Sequence, residues 1–406
     1  MNSTRRNFLA RGSAVLAALG LPAHALGHVA RQEEPADASQ TNSEDPPKTL
    51  LILGGTSFLG PAVVAAARAR GFEITLFNRG KTAPEMFSDL EQLRGDRDPD
   101  KDAGLSALEG DRTWDYVLDT SSYVPRQTRA VAKLLSDRVG RYCLISTVSV
   151  YPDLSRAGLD ETGEVGRLDD PNIEEVNNTT YGPLKALCEE AAEAALPGRV
   201  VNLRPGLIVG PRDRTGRFGY WPVRVREGGE VLAPGNPSDP VQFIDARDLA
   251  EFALHCLTQD HMGLYNVVGP SYGATIADLV HGCRAVTTSG ATFRWVSAER
   301  CAELGLRAWG ELPVWSSPTG DSAGINSVSA ERAKAVGLGS RPLAETARDY
   351  LEWYDTLTPE QQERYRGGMS KKQEAEAYPL AGCVQAAPEA GPPVELEVTG
   401  LLGSKF

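Results

Sequence analysis

A tyrosine and a lysine four residues apart, Tyr181 and Lys185, form the pair in this sequence best suited to proton transfer. The surrounding stretch predicts a helix, and residues at this spacing share one helix face. A free tyrosine has a pKa of about 10 and is a poor base at neutral pH. A lysine ammonium nearby favours the phenolate and lowers that pKa. The spacing therefore predicts a general acid or base, although chance helices also contain such pairs.

A glycine-rich turn far upstream predicts where a cofactor would bind. Residues 49–53 (TLLIL) are a continuous apolar run typical of a buried parallel strand, and 54–60 (GGTSFLG) lead into an alanine-rich helix. The next strand is predicted at 72–77 (FEITLF). Strand, glycine turn, helix and strand in about 30 residues form the unit that binds a dinucleotide pyrophosphate. Ser57 replaces the middle glycine, and a purely structural turn is the alternative.

The residues after the second predicted strand bear on which nucleotide is bound. NAD sites carry a carboxylate there, which accepts hydrogen bonds from the ribose. This chain has Asn78, Arg79, Gly80 and Lys81 instead. Because a guanidinium pairs well with a 2′-phosphate, we predict NADP. NAD is the alternative, with the two cations as ordinary solvated charges.

Further strands alternate with helices along the chain. Strands are predicted at 115–119 and 141–145, with a helix between them. This alternation predicts an α/β fold, a doubly wound parallel sheet (Rossmann fold), beside which we expect a smaller C-terminal substrate lobe. Ligands of such sheets lie at the carboxyl ends of the strands, which is where Ser121 and Thr147 fall.

Together these motifs resemble the extended short-chain dehydrogenase/reductase superfamily, in its NAD-dependent epimerase/dehydratase family. The resemblance covers about Lys48 to Tyr354. It implies hydride transfer between a substrate carbon and a nicotinamide, with Tyr181 as the acid or base. It also implies that Lys185 holds the ribose, that Thr147 bonds the reacting oxygen and that Asp96 contacts the adenine. The cofactor-binding residues so expected are Gly54, Gly55, Thr56, Ser57, Phe58, Leu59, Gly60, Asn78, Arg79, Asp96, Ser121, Lys185 and Pro205.

One departure from the family narrows the chemistry. Its sugar-nucleotide dehydratases follow their threonine with an Asp-Glu pair, whereas this chain has Val148 and Ser149, which disfavours a 4,6-dehydratase. We therefore predict an NAD(P)-dependent epimerase acting on a sugar-like or other hydroxy/carbonyl substrate. One alternative is an NADP-dependent reductase or dehydrogenase. Another is a non-catalytic nucleotide- or RNA-binding protein, because the glycine motif also resembles that of chloroplast stem-loop-binding proteins.

Substrate contacts are expected from the irregular stretch 212–240, where arginines alternate with aromatic residues and could clamp a phosphorylated or carboxylated ligand. The candidates are Arg217, Tyr220, Arg224 and, from the following segment, Gln242. The alternative is a loop whose charges are solvated or salt-bridged. The expected domains are a nucleotide-binding domain at 48–260, a substrate lobe at 261–355 and a poorly packed polar tail at 356–406.

The first residues predict export. Arg5 and Arg6, a short apolar run and Ala23-His24-Ala25 are typical of a twin-arginine signal peptide at 1–25, with an ordinary secretory signal as the alternative. Residues 26–47 are predicted to form a disordered linker. Because the twin-arginine translocase carries folded proteins, we expect the protein in the periplasm or outside the cell, with a nucleotide acquired in the cytoplasm.

The remaining partners follow from composition. A net charge of −12 and a pI of about 5.1 argue against nucleic acid. No later run is long and apolar enough for a membrane helix, so we expect no membrane association after cleavage. Histidines and cysteines are scattered, and no metal site is predicted. A small-molecule substrate and a homodimer are the partners that we expect.

Overall fold

The computed structural model describes residues 46–170 and 172–378. The predicted signal peptide, nearly all of the predicted linker and the end of the predicted tail lie outside these residues. The described strands are β1 (Thr49–Leu53), β2 (Glu73–Asn78), β3 (Glu91–Arg94), β4 (Trp114–Asp119), β5 (Val139–Ile145), β6 (Val200–Pro205), β7 (Ile208–Val209), β8 (Glu230–Pro234), β9 (Ile244–Asp245), β10 (Gly263–Val267) and β11 (Thr292–Val296).

The helices of the described chain are mostly of two to four turns, and the last five follow β11. They are α1 (Leu59–Ala69), α2 (Pro125–Leu135), α3 (Tyr181–Ala195), α4 (Tyr220–Arg226), α5 (Ala246–Gln259), α6 (Ile276–Ala285), α7 (Ala298–Glu303), α8 (Glu331–Ala335), α9 (Leu343–Asp355), α10 (Pro359–Arg364) and α11 (Lys371–Ala377).

Seven strands form one parallel sheet in the order β3-β2-β1-β4-β5-β6-β10. The chain runs outward from β1 in one direction and then returns to β4 on its other side. This reversal leaves a crevice at the carboxyl ends of β1 and β4, where doubly wound folds bind their ligands. The predicted Rossmann fold is confirmed.

Alternate side chains of the buried strands face different helical layers. Leu50 and Ile52 pack in one apolar cluster with side chains of α1 and α5. Leu51 and Leu53 pack in another with side chains of α2 and α3. The unbroken apolar sequence of β1 thus reflects a strand that is covered on both faces.

A third apolar cluster forms the core of the smaller lobe. It includes Trp221 of α4, Val231 of β8, Leu279 of α6 and Tyr350 of α9. Strand β8 pairs in parallel with β11. The predicted substrate loop at 212–240 therefore contributes a helix and a strand to this lobe. The boundary predicted after residue 260 is also displaced, because β10 lies beyond it and joins the main sheet.

The predicted polar tail begins with packed structure. Helices α10 and α11 follow α9, and both carry a capping box that closes their first turn. Met369 is only 1% exposed and Glu374 only 4% exposed. The expectation of poor packing is therefore wrong for residues 356–378, which cover the smaller lobe.

Within the described ranges, no helix has the length and apolar character needed to cross a bilayer.

Candidate active site

The turn between β1 and α1 brings the backbone of α1 close to the end of β1. A Cβ on Gly60 would lie 2.4 Å from the Cα and carbonyl carbon of Gly55, so only glycine fits without displacing backbone. The helix begins at Leu59, and its N-cap residue Phe58 makes no side-chain capping bond. The first turn of α1 also holds no acidic residue. The amide of Gly60 donates to the carbonyl of Ser57 at 2.8 Å and Pro61 has no N–H, so what α1 offers an anion is chiefly the positive end of its dipole.

A cleft of about 530 Å³ opens in front of this turn. Of the predicted site residues, those that line it are Gly54, Gly55, Thr56, Ser57, Phe58, Leu59, Asn78, Arg79, Asp96, Ser121, Tyr181 and Lys185. The structure thus brings the glycine turn and the Tyr-Lys pair into one cavity. A glycine turn that opens a helix at the switch point of the sheet is where doubly wound folds bind a dinucleotide.

The rim of the cleft after β2 is basic. The side chains of Arg79 and Lys81 are exposed there, and the ammonium of Lys81 lies 3.7 Å from the carboxylate of Asp102. The Oδ1 of Asn78 accepts the amide of Gly80 at 2.8 Å and also a guanidinium N–H of Arg94. Asn78 therefore shapes the turn, while Arg79 is left to face a ligand.

A buried ion pair lies beneath the middle of the cleft, and the sequence analysis missed it. The Nη1 of Arg97 donates to Asp119 at 2.5 Å, and Tyr142 donates its hydroxyl to the same carboxylate at 2.6 Å. Burial opposes ionisation of Asp119, but the Arg97 guanidinium outweighs it and holds the pKa of that carboxyl below its usual value. Asp96, which precedes Arg97 in the chain, accepts the amide of Asp98 at 2.9 Å and faces the cleft.

Lys185 is anchored at the inner end of the cleft. Its side chain is 3% exposed, and Nζ donates to the carbonyl of Ile145 at 2.6 Å and to the carbonyl of Ser122. Burial lowers the pKa of this lysine. Ile145 ends β5 and Ser122 lies in the loop that follows β4, so the topology of the sheet fixes where the ammonium sits.

Tyr181 opens α3 one turn before Lys185. A Cβ on Gly182 would lie 2.0 Å from the carbonyl oxygen of Ser149, so the glycine lets the helix approach the turn that follows β5. Thr147 is in that turn, where its hydroxyl donates to Oγ of Ser149 at 3.1 Å and accepts the amide of the same residue at 3.1 Å. Burial raises the pKa of Tyr181 and the neighbouring Tyr123 adds to the increase, whereas the hydroxyl of Thr147 and the charge of Arg217 act in the opposite direction.

Tyr123 is a cleft residue that sequence reasoning did not single out. Its ring centroid lies 6.4 Å from that of Tyr181, and the ammonium of Lys185 lies 5.5 Å from its ring centroid. The side chain is 47% exposed, which is unusual for a large aromatic residue of this protein. An exposed aromatic at the mouth of a strand-end loop was the signal that could have found it.

A second buried ion pair supports the turn after β5. Arg204 donates from Nε and Nη2 to both carboxylate oxygens of Glu189, at 2.9 and 2.6 Å. Ser146, which lines the cleft, donates its hydroxyl to Glu189. Glu189 follows Lys185 by one helical turn, so the ion pair fastens α3 to β6, and the bond from Ser146 fastens it to the end of β5.

The predicted substrate residues divide into one near Tyr181 and three with structural partners. Arg217 acts on Tyr181 as described above, and its Nε donates to Thr215 at 3.2 Å. Arg224 is buried and pairs with Glu374 at 2.6 Å. Tyr220 is 2% exposed. Gln242 bonds both the amide and the carbonyl of Val328.

The side chains of Tyr220 and Arg224 lie in the smaller lobe, Gln242 bonds Val328, and none of the three lines the cleft. Their role as substrate contacts stays a prediction. Pro205, predicted to contact the cofactor, is a buried residue at the end of β6 and does not line the cleft either.

Among the described residues, no cluster of three or more His, Cys, Asp or Glu side chains could hold a metal ion.

A doubly wound sheet, a glycine turn at its switch point and a Tyr-Lys pair in the same cleft define a class of nucleotide-binding fold. A family model described as the NAD dependent epimerase/dehydratase family matches residues 50–268. The chain belongs to this family.

Curated relatives of different kinds are similar to this chain. The epimerase family protein SDR39U1 of Bos taurus is 29% identical over 246 residues, covering 56% of this chain and 77% of its own. The chloroplast stem-loop binding protein of 41 kDa b of Arabidopsis thaliana is 25% identical over 58% of this chain and 62% of its own. The 2-alkyl-3-oxoalkanoate reductase of Stenotrophomonas maltophilia is 26% identical over 50% and 64%.

Solved structures show the same fold. UDP-N-acetylglucosamine 4-epimerase from Methanobrevibacter ruminantium aligns with a TM-score of 0.56 at 15% identity, over 77% of this chain and 100% of its own. The Bordetella bronchiseptica enzyme WbmG, solved with NAD and UDP, aligns with a TM-score of 0.55 at 18% identity, over 78% and 96%.

Proposed function

We propose that this protein is an epimerase that uses a nicotinamide dinucleotide, preferably NADP, on a sugar-like or other hydroxy/carbonyl substrate. The observation that carries the proposal is that Tyr181 and Lys185 share one cleft with the glycine turn of the Rossmann unit. Family membership and the fold of the epimerases described above support it.

The glycine turn and the positive end of the α1 dipole would hold the pyrophosphate of the nucleotide. Asp96 and Ser121 line the wall beside it, and Lys185 lies where a nicotinamide ribose would be bonded. A bound nicotinamide supplies an acceptor and donor of hydride at the substrate carbon.

The protein itself would supply the proton chemistry. The Oη of Tyr181 takes the proton of the substrate hydroxyl and later returns it, while the hydroxyl of Thr147 bonds the same oxygen. Lys185, as an ammonium, favours the phenolate form of the tyrosine. The ring of Tyr123 lies beside both residues and would form one wall around the reacting groups.

The preference for NADP rests on the basic rim after β2. Arg79 is exposed there, and a guanidinium binds a 2′-phosphate through two parallel hydrogen bonds. We expect Arg79→Ser to weaken NADPH binding about tenfold and to leave NADH binding unchanged, as measured by nicotinamide fluorescence. Equal affinity of the unaltered protein for NADH and NADPH would leave NAD as the cofactor.

We also propose that the protein is exported by the twin-arginine route, already folded, to the periplasm or the outside of the cell. Its Arg5-Arg6 motif lies outside the described residues, so this part rests on the sequence alone. Such a protein would take its nucleotide from the cytoplasm and return the hydride to its own substrate. Replacing both arginines by lysine should retain the precursor in the cytoplasm, and continued export would indicate the ordinary secretory route.

The decisive experiment is to purify the exported protein gently, denature it and identify the released nucleotide by mass spectrometry. We expect close to one NADP(H) per chain, with turnover of a screened sugar substrate needing no added nucleotide. Empty protein that turns over only with stoichiometric NADPH would instead identify a reductase.

That reductase is the second candidate, favoured by the similarity to 2-alkyl-3-oxoalkanoate reductase. Its signature is net consumption of NADPH with a carbonyl substrate. RNA binding is disfavoured despite the stem-loop-binding relative, because a net charge of −12 opposes binding to a phosphate backbone.

A further inference from the structure

Arg126, in the first turn of α2, joins acidic side chains from two other parts of the chain. Its Nη1 donates to Asp98 at 3.0 Å and to Asp100 at 2.9 Å. Its Nε and Nη2 donate to the two carboxylate oxygens of Glu174, at 2.7 and 3.0 Å. Asp98 and Asp100 belong to the loop after β3, whereas Glu174 lies in the segment that leads to α3. One planar guanidinium therefore bridges both segments.

The loop that Arg126 holds is a wall of the cofactor cleft. Asp96, Asp98 and Lys101 all line the cavity. Asp98 is only 5% exposed, and it also accepts the amide of Asp100 at 3.2 Å and pairs with Lys101 at 3.3 Å. Hydrogen bonding from Arg126 lowers the pKa of Asp98 to about 2, so the carboxylate stays ionised at any pH at which the protein would be used.

Arg97, the neighbour of Asp98, fastens the same loop to the central sheet. Arg97 points toward the sheet and pairs at 2.5 Å with Asp119, whose side chain is fully buried. Adjacent residues of one loop are thus held in two different directions, Arg97 by the end of β4 and Asp98 by α2. Of these two fastenings, only the one through Arg126 is partly exposed and able to open without breaking the core.

We propose that Arg126 is a positioning residue that holds the loop at 96–101 against the cleft and slows the release of bound nucleotide. The inference rests on the proposed function, because it presumes a nicotinamide nucleotide in this cleft. It also supplies what a retained cofactor needs, since dissociation is limited by opening of the wall rather than by contacts with the ligand alone.

The test measures the rate at which NADPH leaves the full-length protein. Protein loaded with NADPH is mixed with excess NADP⁺, and the loss of nicotinamide fluorescence is followed by stopped flow. We expect Arg126→Gln to release NADPH about tenfold faster, as loss of a three-carboxylate network would allow. Glu174→Gln should accelerate release less, and the double variant should be no faster than Arg126→Gln.

Two further variants separate geometry from net charge. Arg126→Lys keeps the charge but cannot bridge both segments with a planar fork, so its release should also be fast. Arg167→Gln removes the same charge from an exposed pair with Glu190 at 2.9 Å and should release NADPH at the original rate. Thermal unfolding of each variant confirms that it is folded.

The outcomes distinguish the inference from the proposed function. Tight NADPH binding with an unchanged release rate in Arg126→Gln would overturn the inference and leave the proposed function standing. Equal acceleration by Arg167→Gln would reduce the effect to net charge and also overturn it. If the unaltered protein binds neither NADPH nor NADH, the proposed function fails, and the inference fails with it.

Discussion

The ammonium of Lys185 donates to the main-chain oxygen of Ile145 at 2.6 Å, which ties α3 to the end of a central strand. The donor is on α3 and the acceptor ends β5, forty residues earlier in the chain. Since the turn after β5 also carries Thr147, this bond sets the distance between the threonine and Tyr181. The geometry of the candidate site is therefore a property of the sheet and not of the helix alone.

Tyr181→Phe tests the proton chemistry. The change removes the hydroxyl and keeps the ring, so turnover should fall by about 10²–10⁴-fold while NADPH affinity and the melting temperature stay close to the original. Steady-state kinetics on the substrate found by screening, with NADPH titration, check this. Tyr272→Phe is the control, because Tyr272 is an exposed tyrosine whose hydroxyl bonds the amide of Leu343. Near-normal turnover in Tyr181→Phe would refute the assigned role.

The pH dependence of turnover tests the role of Arg217. Burial raises the pKa of Tyr181, and the positive charge of Arg217 opposes this increase. Arg217→Met should therefore raise the tyrosine pKa further and move the alkaline-going rise in turnover to higher pH, by roughly half a unit for one partly exposed charge. Arg214→Met, on the same loop with its guanidinium over the ring of Tyr365, should leave the profile in place. A shift to lower pH would contradict the assignment.

Gly60→Ala tests the nucleotide end of the cleft. Because the new Cβ would lie 2.4 Å from the backbone of Gly55, α1 must move away from β1. We expect a loss of about 1–3 kcal/mol in the free energy of unfolding, as for overpacked cores, and severe loss of NADPH binding. Gly339→Ala is the matched control, since a Cβ there meets nothing within 4 Å. Chemical denaturation and NADPH titration of both variants decide the matter.

Glu374→Ala tests whether the residues after α9 belong to the folded lobe. The change leaves the buried guanidinium of Arg224 without its carboxylate, so the free energy of unfolding should fall by about 3–5 kcal/mol. Asp355→Ala removes a carboxylate from the exposed pair with Arg226 at 2.8 Å and should cost at most about 1 kcal/mol. A loss for Glu374→Ala as small as that for Asp355→Ala would show that α11 adds little to stability.

The sequence by itself determined the elements whose signals are local. An apolar run followed by glycines and an alanine-rich helix gives the unit from β1 to β2, because strand burial and turn geometry depend on near neighbours in the chain. The spacing of Tyr181 and Lys185 likewise follows from the period of one helix. The residues from Gly54 to Leu59, which line the cleft, could be predicted from the sequence for the same reason.

Only the tertiary structure decided which distant charges meet. The sequence offers Arg224 as a substrate contact or as a solvated or salt-bridged loop charge, and the fold buries it against Glu374, which lies 150 residues later. Arg126, unremarkable in the sequence, bridges Asp98 and Glu174 across the folded chain. A buried or partly buried charge needs a partner, but the identity of that partner depends on which segments the sheet order and helix packing bring together. Spacing along the chain does not contain that information.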